Sequence, residues 1–170
     1  MGSAGVTRVT PRFLRHFNMI CVPDFSTQTL TRIFSKQMEG FLADSDLTPD
    51  IRKLYNQTVL ASIELYSRMV LGLRPTPKSL LYMFNLRDLV RVMQGLQLYH
   101  HHSSPMRNTL ESQRKIIRLW VHECLRVFGD RVADLKDKTW FQRNLFETCR
   151  DKIRDDLNVV LRRGALQYPL

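Results

Sequence analysis

The sequence predicts an all-α fold, a helical bundle preceded by one short strand at its N-terminal edge. Three observations carry that expectation. Apolar residues recur at helical spacing through five segments. Helix-starting signals such as Thr48-Pro49 and helix-ending glycines such as Gly72 and Gly129 punctuate those segments. One run alone, Asn18-Met19-Ile20-Cys21-Val22, reads as a short buried strand, stopped by Pro23.

In chain order, Ser26 is the expected cap of a first helix, with Leu30, Ile33, Phe34, Met38, Phe41 and Leu42 on its apolar side. Thr48 and Pro49 start a second, where threonine caps and proline suits the first turn. Its broad apolar face carries Ile51, Leu54, Tyr55, Val59, Ile63, Tyr66, Met69 and Val70, and Gly72 ends it. Arg74-Pro75-Thr76-Pro77 should be an extended connector, because each proline disfavours helix in the residue before it. Asn85 caps a third helix, with Asp88 in the first turn, where a negative charge suits the positive helix end. Leu89, Val90, Val92, Met93 and Leu96 form its buried side, and His100 to Pro105 reads as a loop. A fourth helix runs from about Leu110 to Phe128, with Ile117, Trp120, Cys124 and Phe128 inward. A fifth begins near Asp137 and carries Phe141, Leu145, Cys149, Ile153 and Leu157.

A chain of 170 residues, 44% hydrophobic and 25% charged, is long enough for one domain with a real core and too short for two ordinary ones. No apolar run is long enough to cross a bilayer, and the first six residues lack the apolar stretch of a secretory signal. Cys21, Cys124 and Cys149 cannot all pair with one another; their apolar neighbours suggest buried, reduced thiols of a cytosolic protein. The net charge of +10 keeps an anionic partner open, whether nucleic acid, phosphate or an acidic protein surface.

The chemistry that is missing narrows the function. There is no GxxxxGK[ST] phosphate loop, no acidic strand end for magnesium and no Gly-x-Ser-x-Gly. His122-Glu123 is not followed by the second histidine of a zinc helix, and His100-His101-His102 reads as a polar loop because adjacent side chains cannot converge on one ion. No metal site and no independent catalysis are expected. Arginine placement says more. Arg87, in the first turn of a helix, can reach a phosphate lying against free backbone N–H groups; an ion pair with Glu64 or Asp88 is the competing arrangement. Arg12 and Arg15 stand three residues apart just before the expected strand, where both could reach an anion or simply face solvent.

These pieces resemble the end of a AAA+ ATPase module. Arg12-Phe13-Leu14-Arg15, a strand and then Val22-Pro23-Asp24 are similar to the paired-arginine, strand, Pro-Asp order of that family. Finer words resemble dynein heavy chains: Thr10 to Asn18 before the lid, then Leu65-Tyr66, Pro75-Thr76-Pro77-Lys78, Phe84-Asn85-Leu86-Arg87-Asp88-Leu89 and Gln94-Gly95. Arg118-Leu119-Trp120, His122-Glu123, Arg126-Val127-Phe128, Asp130-Arg131 and Trp140-Phe141 continue the likeness, which covers roughly residues 7 to 157. The Phe-Asn-Leu-Arg-Asp wording is more like axonemal than cytoplasmic dyneins, and the order of words is most similar to the third AAA+ module.

The resemblance implies a helical AAA+ lid (residues 25–157), preceded by the C-terminal edge of a large subdomain (1–24) and followed by a divergent tail (158–170). It implies that Arg87 is a sensor-2-like residue contacting ATP or ADP, supported by the cap of Asn85 and Asp88, and that Arg12 and Arg15 are finger-like toward a neighbouring module. Magnesium and the phosphate loop would belong to parts outside this chain, which alone would need no cofactor and would not be an enzyme. The implied partners are other AAA+ modules of a dynein ring, and microtubules only through the intact motor, in the cytoskeleton of a ciliary or flagellar axoneme, with no direct contact to nucleic acid or membrane. The chain then reads as a fragment of an axonemal dynein heavy chain that relays nucleotide state for microtubule-based ciliary movement. Two rivals are a stand-alone basic helical adaptor for nucleic acid or an acidic protein surface, and a regulatory fragment that docks onto a dynein ring.

Overall fold

A computed structural model describes residues 9–43, 48–77, 79–102 and 110–154. The described chain is helical throughout its regular parts: α1 (Pro11–Leu14), α2 (Thr27–Ala43), α3 (Pro49–Gly72), α4 (Leu86–His102), α5 (Leu110–Val127) and α6 (Leu135–Thr148). A 3-10 turn, Gly129–Arg131, joins α5 to α6, and a wide π turn, Cys149–Ile153, follows α6. The tail from residue 158, and Leu157, lie outside the described residues.

The expected strand does not form. Residues 18–26 follow the single turn of α1 without regular structure. A strand must exchange backbone hydrogen bonds with a neighbour. Among the described residues the only pairing is an isolated bridge, Thr76 with Ser79. Met19, Ile20 and Val22 are therefore exposed, and so is Cys21, which the sequence placed inside.

The helices themselves follow from local chemistry. Ser26 caps α2, its Oγ accepting from the Thr29 N–H at 3.2 Å. Leu30, Phe34, Met38 and Leu42 then bury at four-residue intervals, a stripe narrow enough to leave Ile33 exposed. Thr48 starts α3 by backbone shape rather than by a side-chain bond: its hydroxyl makes no cap and is buried without a partner, while Pro49 supplies the first helical φ. The α4 helix runs through His102, three residues into the expected loop, and residues 103–109 lie outside the described parts. Asp134 starts α6 two residues earlier than expected, accepting from Lys136 N–H at 3.3 Å.

The α3 helix is the centre. It packs on α2, α4, α5, α6 and the π turn, which is why Ile51, Tyr55, Val59, Ile63, Leu65 and Met69 bury on several of its sides. Trp120 of α5 is fully buried against it, and its indole N–H donates to Ser62 Oγ at 2.8 Å. Ser62 in turn donates to the Thr58 carbonyl, and Thr58 to the Tyr55 carbonyl, both at 2.7 Å. A buried donor without a partner costs about 1–3 kcal/mol, so this chain of bonds fixes the register of α5 on α3.

Candidate functional site

The first turn of α4 is built by its own sequence. The backbone N–H of Asp88 donates to Asn85 Oδ1 at 3.2 Å, and the N–H of Asn85 donates to Asp88 Oδ2 at 3.0 Å. This is a reciprocal cap in which a residue before the helix and one three places on satisfy each other's free donors. Asp88 is buried and Asn85 exposed, so the cap has one wet side and one dry side.

The dry side is held from the 3-10 turn. Arg131 donates from Nη1 to Asp88 Oδ2 at 2.9 Å and from Nη2 to Asp88 Oδ1, a two-pronged pair. It also donates to the Met83 carbonyl at 3.2 Å and lies over the Phe84 ring, 5.8 Å from its centre. Phe84 meets the buried Phe128 edge-on at 6.0 Å. Arg91 adds a weaker approach to Asp88 at 3.7 Å.

On the wet side lies an open cleft of about 1020 Å³. Its walls come from three stretches of chain: Val22 to Leu30, Tyr66 to Leu71 at the end of α3, and Phe84 to Arg87 at the start of α4. Arg87 and Asn85 stand at its α4 edge and Asp24 on the opposing segment, with Phe25, Leu30, Val70 and Leu71 between. Partial burial, and after it the carboxylates of Asp88 and Asp24, push the Tyr66 hydroxyl above its ordinary value of 10.0.

Both carboxylates that compete for Arg87 are engaged elsewhere. Glu64 pairs with Arg68 at 3.0 Å, and Asp88 pairs with Arg131. Among the described residues no carboxylate lies within ion-pair distance of the exposed Arg87. Arg12 and Arg15 sit apart from the cleft, exposed at α1, where Arg15 Nε donates to His16 Nε2 at 3.0 Å. The geometry thus joins Arg87 with Asn85 at one cleft edge, places Asp88 beneath them, and leaves the two N-terminal arginines outside.

Sequence reasoning missed the roles of Tyr66 and Arg131. Tyr66 was one apolar-face residue among many. Arg131 lies 43 positions from Asp88, and no local period links them. Among the described residues no group of three metal-binding side chains gathers, and no helix is long and apolar enough to cross a membrane.

Residues 58–163 match the family described as "AAA+ lid domain". The chain is 40% identical over 169 residues to "Dynein axonemal heavy chain 12" of Rattus norvegicus, covering 96% of this chain and 5% of that one. It is 41% identical over 143 residues to "Dynein axonemal heavy chain 6" of Homo sapiens, covering 84% and 3% respectively. It is also 29% identical over 162 residues to "Dynein gamma chain, flagellar outer arm" of Chlamydomonas reinhardtii, covering 90% and 4%. The chain therefore spans about one twentieth of the length of such curated relatives.

Proposed function

The chain belongs to the AAA+ lid domain family, and from that membership we propose that it serves as the nucleotide-sensing lid of a AAA+ module in an axonemal dynein motor. The observation that carries this reading is Arg87, exposed at the edge of the cleft beside the first turn of α4, with both competing carboxylates held by other arginines. A guanidinium so placed can bond the terminal phosphates of ATP or ADP, helped by the positive end of the helix. The rest of the nucleotide site, including the phosphate loop and its magnesium, belongs to a large subdomain. Loss of the γ-phosphate weakens Arg87's hold on the nucleotide, frees the lid to turn, and passes the movement to the next module of the ring.

The third module is the proposed position, on the words Phe84 to Leu89 and Pro75 to Lys78. Arg12 and Arg15 are proposed to complete the nucleotide site of an adjacent module. Their exposure outside the cleft supports a role across a boundary rather than in the Arg87 site. Microtubule movement in the axoneme would then be a property of the whole motor, with hydrolysis outside this chain.

The test is a titration of the full 170-residue chain with millimolar MgATP and ADP, following the Arg87 Nε–Hε resonance by NMR. Arg87 should respond more to ATP than to ADP. Arg87→Gln should weaken ATP binding about tenfold or more, the effect of one lost charge-assisted bond. A flat Arg87 response sinks the sensor assignment, and ATP turnover by the chain alone would overturn the division of labour.

A further inference from the structure

Arg131 does more than neutralise a buried acid. Its guanidinium grips both oxygens of Asp88 and the Met83 carbonyl while covering the Phe84 ring. Met83 and Phe84, with Asn85, lead into α4, and Asp88 stands in the first turn that carries Arg87 to the cleft edge. Asp88 meanwhile holds the Asn85 N–H at 3.0 Å. One side chain on the 3-10 turn therefore touches the leading segment, the cap and the first helical turn.

We propose that Arg131 is a positioning residue for the nucleotide contact, fixing the direction of Arg87 by clamping the start of α4 through Asp88. The assignment rests on the reading of Arg87 as the phosphate contact. The chemistry needs arginine. A buried carboxylate gripped in a two-pronged bond is held in one orientation, and only the planar fork can grip both oxygens and a carbonyl together. Arg91, half exposed and 3.7 Å from Asp88, cannot replace that grip. With Arg131 removed, Asp88 would turn toward Arg91. The Asn85 cap would loosen, and Arg87 would sample several directions.

The clamp also reaches away from the cleft. The 3-10 turn leads into α6, where Asp137 accepts from the Tyr82 hydroxyl at 2.9 Å. The segment Tyr82 to Phe84 is thus pinned from two neighbouring places, and movement of one should be felt at the other.

The experiment uses the full chain with Arg131→Gln, Arg131→Lys and Asp88→Asn. Amide hydrogen exchange at Arg87, Asp88 and Leu89 reads the clamp, and the Arg87 Nε–Hε response to MgATP reads its consequence. In Arg131→Gln these three amides should exchange about tenfold faster while the amides of central α3 keep their protection. The apparent ATP affinity should fall by a similar factor. Arg131→Lys should recover part of the protection, because charge returns without the fork. Asp88→Asn should reproduce the Arg131→Gln effect, and the double variant should add little to either. Unchanged exchange at the α4 start, or equal loss of protection across α3, overturns the proposal. Should Arg131→Gln not fold, the lysine variant decides the matter, since unaltered ATP affinity with a slackened α4 start would also overturn it. A wild-type Arg87 that ignores ATP refutes the sensor reading instead, and leaves the exchange arm to judge the clamp by itself.

Discussion

Cys21, Cys124 and Cys149 carry the same thiol in different surroundings: the first is exposed on the N-terminal segment, and the other two are buried in the bundle. Burial, and after it the nearby charges of Glu123 and Cys149, raises the Cys124 thiol well above its ordinary value of 9.0. The thiolate is the reactive form, so depth and electrostatics act together against reaction. Iodoacetamide at about pH 7.5 should modify Cys21 alone in the native chain, with the other two reacting only in denaturant; mass spectrometry reads the count. Rapid native labelling of Cys124 would contradict its placement. The raised folded value also sets a pH dependence. The neutral thiol's contribution to stability is fully present below the ordinary thiol range, and it is lost as pH rises from there toward the folded value. Denaturation midpoints should therefore fall on the alkaline side and not on the acid side through this group.

Two glycines inside helices show how an element's neighbours decide what a position tolerates. Gly40 of α2 has nothing within 4 Å of where a Cβ would stand, whereas a Cβ at Gly72 would collide with the Trp140 ring of α6. Gly40→Ala should therefore stabilise by about 0.5–1 kcal/mol, since alanine loses less backbone freedom on folding. Gly72→Ala should destabilise by about 1–3 kcal/mol, because the indole must leave its packed position. Urea denaturation midpoints check both, and a second change, Trp140→Leu, should relieve most of the Gly72→Ala loss. The α4 start belongs to the same scale. Its cap is local and was readable in Asn85 and Asp88. What holds that cap in place comes from a turn 43 residues away.

Across the whole molecule the charge of +10 is what remains after every acid is set against a base, so ion pairs fix where several cations point without cancelling it. Arg68 faces Glu64, Glu147 and Asp151; Arg126 faces Glu123; Arg143 faces Glu147; and Arg131 faces Asp88. Trp120, Phe128 and Phe141 are buried, so they offer no stacking surface to bases. Binding to a short DNA duplex should be weak at about 50 mM salt, indifferent to sequence and gone by about 200 mM, as measured by fluorescence anisotropy. Retention at the higher salt would revive the adaptor reading. The sequence by itself determined the helices, the caps at Ser26 and Asn85, the buried stripes and the family words, because each is written in residues close together in the chain. Whether Asn18 to Val22 found a strand to pair with, and which acids were left for Arg87, was decided only by the tertiary structure. So was the cleft, whose walls come from residues 22–30, 66–71 and 84–87. Such outcomes depend on groups far apart in the chain that meet only when α2 and α4 pack on α3, and no local period records that meeting.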